Sequence, residues 1–189
     1  MVTVYDASDV SGAISASLNA TNIGRGMSFE WPAGGYDLTA ATWYMAKNGS
    51  PTGAITCAVY NTVAFVPSGA AIGSDTTSFL AEGLPAAPGY AARRFTFDPI
   101  TVAEGADLCI SYEHGGDASN NITAGAKTTV TQYNTAFGVG LWRNVLNSGS
   151  WGSASNAFGI SILVEGENPV TGGGIIFGVG LGMGMGMGL

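Results

Sequence analysis

Two tryptophans, Trp142 and Trp151, bracket the run RNVLNSGS, and Tyr133, Asn134, Asn144 and Asn147 lie close by in the chain. Aromatic rings beside side-chain amides are what a sugar recognises, because its C–H face stacks on the ring and the amides bind its hydroxyls. Trp142, Trp151, Tyr133 and Asn144 are therefore the candidate glycan-binding residues, carried by a hairpin at one end of a domain. The competing reading is structural: one tryptophan caps the core and the other packs under a loop.

Catalytic groupings are sparse. The chain has one histidine, His114, so a histidine metal cluster is excluded. Ser111, Glu113 and His114 offer the residue types of a hydrolytic triad, but neighbours on a strand point to opposite faces, so the three are not expected to converge. No enzymatic activity is expected. In GGDASNN, Asp117 and Asn120 with backbone carbonyls could be offered to Ca²⁺. One carboxylate falls short of the six to eight oxygens that ion prefers, so an Asx-bonded turn is expected and no cofactor.

Net charge is −7 with only six Lys and Arg, which leaves no cationic surface for a phosphate backbone and excludes nucleic acid as a partner. The Arg93-Arg94 doublet reads as an exposed strand start. Charged residues are 10% while hydrophobic residues are 46%, a balance that argues for a packed core rather than disorder. Cys57 shares parity with Ile55 and Val59, whereas Cys109 has opposite parity to Leu108 and Ile110. The two thiols are thus expected on different faces, reduced and acting as small hydrophobes. The segment MVTVYDASDVSGA has neither a basic start nor an apolar run, so it does not read as a secretory signal. No stretch reads as a membrane helix, and a membrane partner is not expected.

The elements that must position these residues are strands. GMSFEW, LTAATWYMAK, AITCAVYN, RRFTFDPI, ADLCISYEH, ITAGAKTTVTQYN, GVGLWRNVLNSGSW and AFGISILVEGE are separated by turn-rich segments. Within them Ala41, Trp43 and Met45 share a face with Leu38 leading in. Phe95 alternates with Phe97, and Phe158, Ile160, Ile162 and Val164 share another face. Residues 61–92 read as a long connection with a short strand or helical turn. The expected fold is all-β, an antiparallel jelly-roll-like β-sandwich over residues 23–167, preceded by an N-terminal segment (1–22) and followed by a hinge and tail (168–189).

The order of these motifs resembles a family of jelly-roll β-sandwich modules found in bacteriophage head, fibre and tail proteins and in surface adhesion proteins. The resemblance spans about residues 27–166. It rests on FEWPAGGYDLT, on KNGSPTG, on GADLCISYEHGGDASN and on the late NSGSW. Leu108 departs from the tyrosine common at that place, and the tail lies outside the pattern. The resemblance implies a fold and a setting on a particle or cell surface, without a ligand or a catalytic residue.

That tail is the remaining feature. From Phe177 to Leu189 every odd residue is apolar and every even one is glycine. The apolar edge comprises Phe177, Val179, Leu181, Met183, Met185, Met187 and Leu189, with Ile175 and Ile176 leading in. An extended strand of this length spans roughly 40 Å and presents bare backbone on its other side. Such an edge is an aggregation hazard unless a partner covers it. The expected role is a structural protein of a virion, such as a decoration, fibre or tail-tip component. Its tail would hold a homo-oligomer, a trimer favoured, or dock to other virion proteins. The alternative is a carbohydrate-binding adhesion module for host-surface glycans.

Overall fold

The computed structural model describes residues 1–6, 14–31, 36–127, 142–155 and 159–168 of the chain. The N-terminal segment contributes β1 (Val2–Asp6) and β2 (Ile14–Ser17). Three long strands follow, β3 (Asn22–Glu30), β4 (Asp37–Asn48) and β5 (Ala54–Val63). The loose connection holds β6 (Val66–Pro67), β7 (Gly73–Ser74), β8 (Phe79–Leu80) and a 3-10 turn at Ala81–Gly83. Then come β9 (Ala91–Thr101), β10 (Asp107–Glu113) and β11 (Asn121–Lys127). The last are β12 (Trp142–Asn147), β13 (Ser150–Ser155), β14 (Gly159–Ile160) and β15 (Ile162–Glu167).

Two antiparallel sheets pack face to face. The first is centred on β4, whose Ala41 pairs with Phe95 of β9 on one edge and Val164 of β15 on the other. β1 adds beyond β15, while β11 pairs with the far end of β4 and carries β2 and β14. The second runs β13-β12-β3-β10-β5, with β6, β7 and β8 along the outer edge of β5. From β3 to β12 successive long strands alternate between the sheets, and β12 and β13 form a hairpin within the second, giving the jelly-roll-like sandwich the sequence predicts.

The core follows the period of two. Met27, Phe29, Ile55, Cys57, Val59, Ile110 and Tyr112 of the second sheet face Trp43, Met45, Phe95, Ile162 and Val164 of the first, all buried. The Trp43 ring meets Tyr112 edge-on with centroids 5.0 Å apart, and its Nε1 donates to Cys57 Sγ at 3.4 Å. A register shift between Leu38 and Ala40 marks a bulge, which lets Leu38 share the core with Ala41, Trp43 and Met45 despite its parity. Phe158 lies outside the described residues. Arg93 and Arg94 are half-exposed near the start of β9, and Arg94 pairs with Glu165 at 2.5 Å.

The middle of the far face of the second sheet is also buried, which parity alone does not reveal. Ser28, Cys109 and Ser111 have no exposure, and Leu146 has 8%. Neither cysteine is in a disulfide and both are buried, Cys57 inside the sandwich core and Cys109 on this other face. The cause is curvature. In a flat sheet β13 and β5 would stand about 19 Å apart, yet the rings of Trp151 and Tyr60 meet with centroids 5.4 Å apart. Gly26 permits the curl, since a Cβ there would stand 2.5 Å from Cys109 Sγ.

Candidate functional site

Where the curled sheet meets the connection after β5, a groove of about 500 Å³ opens. It is lined by Thr56, Tyr60, Asp75, Thr76, Ser78 and Glu113 among others. Thr56 and Tyr60 lie two steps of parity apart on β5, on the face opposite Ile55, Cys57 and Val59. Glu113 stands opposite Thr56 in the β10–β5 register. Strand alternation alone therefore delivers these side chains to one side.

Hydrogen bonds fix the groups within it. Tyr60 Oη donates to Glu113 Oε1 at 2.9 Å, and Ser111 Oγ lies 3.0 Å from the same oxygen. Burial, with Glu113 next, pushes the Tyr60 phenol well above its ordinary value. Across the groove, Asp75 Oδ1 accepts the Cys57 amide at 2.6 Å. Burial raises the Asp75 carboxyl, and that amide partly opposes the shift. The groove thus combines an aromatic wall, hydroxyls and two carboxylates, a set suited to binding a polyhydroxylated ligand.

Of the sequence-derived candidates, the structure brings Trp151 to this place. Its half-buried ring packs at 63° against Tyr60, which lines the groove. Trp142 and Asn144 lie on β12 opposite Ser28 and Gly26 of β3, and their side chains are outside the described residues. Tyr133 is outside them too, as are Ile175, Ile176 and the ladder from Phe177 to Leu189. Tyr60 and Asp75 were not among the sequence-derived candidates, and Glu113 was considered there only as part of a triad. A signal for the first was present, because placing Ile55, Cys57 and Val59 inward leaves Tyr60 on the opposite face.

Ser111 and Glu113, two residues apart, do share a face and meet. His114 takes another direction, with Nε2 3.1 Å from the Thr52 carbonyl oxygen. In the GGDASNN loop, Asp117 Oδ1 accepts the backbone amides of Ser119 and Asn120 at 2.7 and 2.6 Å, and Oδ2 accepts Asn120 Nδ2 at 3.1 Å. The Asn120 side chain and these amides hold the Asp117 carboxyl below the usual range. Both carboxylate oxygens are therefore committed to the turn. Among the described residues no three His, Cys, Asp or Glu side chains are grouped as metal ligands.

This loop is half of a clamp. Asn120 Oδ1 accepts the Ser50 amide at 2.9 Å, and Asn48 Nδ2 donates to Asn121 Oδ1 at 3.0 Å. Gly49 has φ of 65° and approaches so closely that a Cβ would stand 2.3 Å from the Ser119 carbonyl oxygen. The NGSPTG and GGDASNN motifs thus interlock.

The fold and groove define an all-β antiparallel sandwich with an aromatic- and carboxylate-lined groove beside its second sheet. No protein-family model matches the chain, and no curated protein matches it by sequence. Among solved structures it is similar to the cysteine protease and lectin-like domains of Cwp84, a surface layer associated protein of Clostridium difficile. That likeness has a TM-score of 0.49 and 9% identity over 79% of this chain and 35% of the other, so the chain spans about a third of that structure's length.

Proposed function

We propose that this sandwich is a non-enzymatic carbohydrate-binding module of a surface or particle, with the groove lined by Tyr60 and Glu113, and with Trp151 packed against Tyr60, as its sugar site. The observation that supports it is the aromatic pair abutting a carboxylate that hydroxyl groups hold in place. A sugar ring would stack on the aromatic wall while Glu113, Asp75, Thr56 and Ser78 serve its hydroxyls. The test is a glycan array with the protein and with Trp151→Ala, alone and combined with Trp142→Ala. Binding should fall at least tenfold in variants whose melting curves remain cooperative. Unchanged binding in a folded double variant would remove the reading.

A second reading is favoured by the glycine-alternating tail: a structural protein of a bacteriophage virion. The sandwich is displayed outward, and residues 168–189 hold a homo-oligomer, a trimer favoured, or dock to other virion proteins. The topology is compatible with display. Asp37 pairs with Glu167 at one end of β4, and Asn48 pairs with Asn121 at the other. Twelve residues of β4 separate these ends by roughly 40 Å. The clamp loops therefore lie at the end away from the point where the chain leaves β15. Removing residues 172–189 should abolish oligomerisation by light scattering and particle incorporation. Intact assembly after that removal would overturn this reading. A protein that is structural only should be silent on the glycan array.

A further inference from the structure

The groove does not end at Glu113. Ala54, Thr56 and Glu113 also line a second cleft of about 240 Å³, which reaches Ile23, His114 and Gly115. Gly115 in turn lines a third, more open cleft of about 780 Å³ between Ser50–Thr52 and Gly116, Asp117 and Asn120. The three adjoin through shared residues, so they form one trough past the end of the second sheet. From Tyr60 to Ala54 strand β5 alone spans roughly 20 Å, room for several sugar rings.

Among the described residues the charge along the trough has one sign. Its charged side chains there are Asp75, Glu113 and Asp117, and no described Lys or Arg lines any of the three clefts. Glu113 Oε1 takes both the Tyr60 and Ser111 hydroxyls, which leaves Oε2 without a partner among the described residues. Asp75 and Glu113 stand in this lining as carboxylic groups with no Lys or Arg beside them among the described residues, so an acidic sugar entering here meets repulsion and a protonated amine meets attraction.

Resting on the carbohydrate reading above, we infer that the trough takes an extended oligosaccharide of neutral or amine-bearing units and rejects acidic ones. Hydroxyl and amine donors serve Glu113 Oε2 and the Asp75 carboxylate, while the aromatic wall accepts one ring.

Calorimetric titration tests this with fully deacetylated glucosamine oligomers of one to six units, their N-acetylated counterparts, and uronic acid oligomers of matched length. Affinity should rise at least tenfold from one unit to four, and the amine series should bind at least tenfold more tightly than the uronic series. Glu113→Gln preserves the acceptor for Tyr60 and Ser111, and should shrink that preference several-fold, as should Asp75→Asn. Raising salt on the unaltered protein should do the same, which keeps the test independent of whether a variant folds. Uronic oligomers binding as tightly as amines would overturn the charge selectivity, and length-independent binding would overturn the extended trough, both leaving the carbohydrate reading intact. Binding to no saccharide in any series or on the array would overturn that reading itself.

Discussion

The hydroxyl of Tyr60 on β5 stands 2.9 Å from Glu113 Oε1 on β10, while the Tyr60 ring takes the edge of Trp151 from β13. One side chain therefore ties together the middle and the far edge of a curled sheet, and does so at the lip of the groove.

This contact has an alkaline signature. The folded protein holds the Tyr60 proton more tightly than the unfolded chain, because burial and Glu113 disfavour the phenolate. The stabilising contribution is therefore complete below the ordinary phenol value of about 10. It is lost as pH rises from there towards the folded value. Urea unfolding between pH 8 and 11 should show a decline that Tyr60→Phe flattens. An identical decline in that variant would disprove the assignment.

Asp75 separates the effect of a hydrogen bond from that of a charge. Its folded carboxyl is raised by burial, so its favourable contribution is present at low pH and lost as pH rises through the folded value. Asp75→Asn keeps an acceptor for the Cys57 amide and removes the desolvated charge, so stability at neutral pH should hold or rise slightly. Asp75→Ala strands that amide and should cost about 1–3 kcal/mol. Denaturant midpoints for the pair decide it, and equal losses in both variants would contradict the argument.

The loop clamp should be sensitive to substitution and indifferent to calcium. Gly49→Ala demands a left-handed conformation costing about 1–3 kcal/mol, and adds a clash with Ser119. Asn120→Ala removes the partner of both Ser50 and Asp117 and should cost about 1–2 kcal/mol. The lowered Asp117 carboxyl supports the turn above its unfolded value, and that support fades as pH falls through the folded one. Melting midpoints should be the same in Ca²⁺ and in chelator. A calcium-dependent rise would show that the loop takes a cation.

Gly26 tests the curl. Gly26→Ala drives a methyl against Cys109 Sγ at 2.5 Å and the Ile110 carbonyl oxygen at 3.0 Å, an overpacking expected to cost about 1–3 kcal/mol. Cys109→Ala in that background should recover part of the loss by removing the sulfur. A double variant with strictly additive losses would mean that the two sites do not press on each other.

The sandwich was legible because its core residues recur at every second position over long runs, as Ile55, Cys57 and Val59 do, and Phe95 with Phe97. The same arithmetic placed the two cysteines on different faces. It also caught the irregular connection, which holds three short strands and a 3-10 turn. What it missed follows from long-range closure. Nothing local in GRGMS says that Gly24 and Gly26 let a sheet roll until Trp151 touches Tyr60. Glu113 was visible only as part of a triad, although its partners came from a different strand and from two residues back. β2 was missed because ISAS has too few apolar residues to show a period.

Strand β15 lies between β1 and β4, with Gly166 opposite both Val2 and Leu38. Tension carried by the chain beyond Glu167 would run along the axis of β15 and load both ladders at once in shear. Bonds loaded this way must break together, whereas an edge strand pulled sideways unzips one rung at a time. The sandwich is thus wired to resist traction from that end.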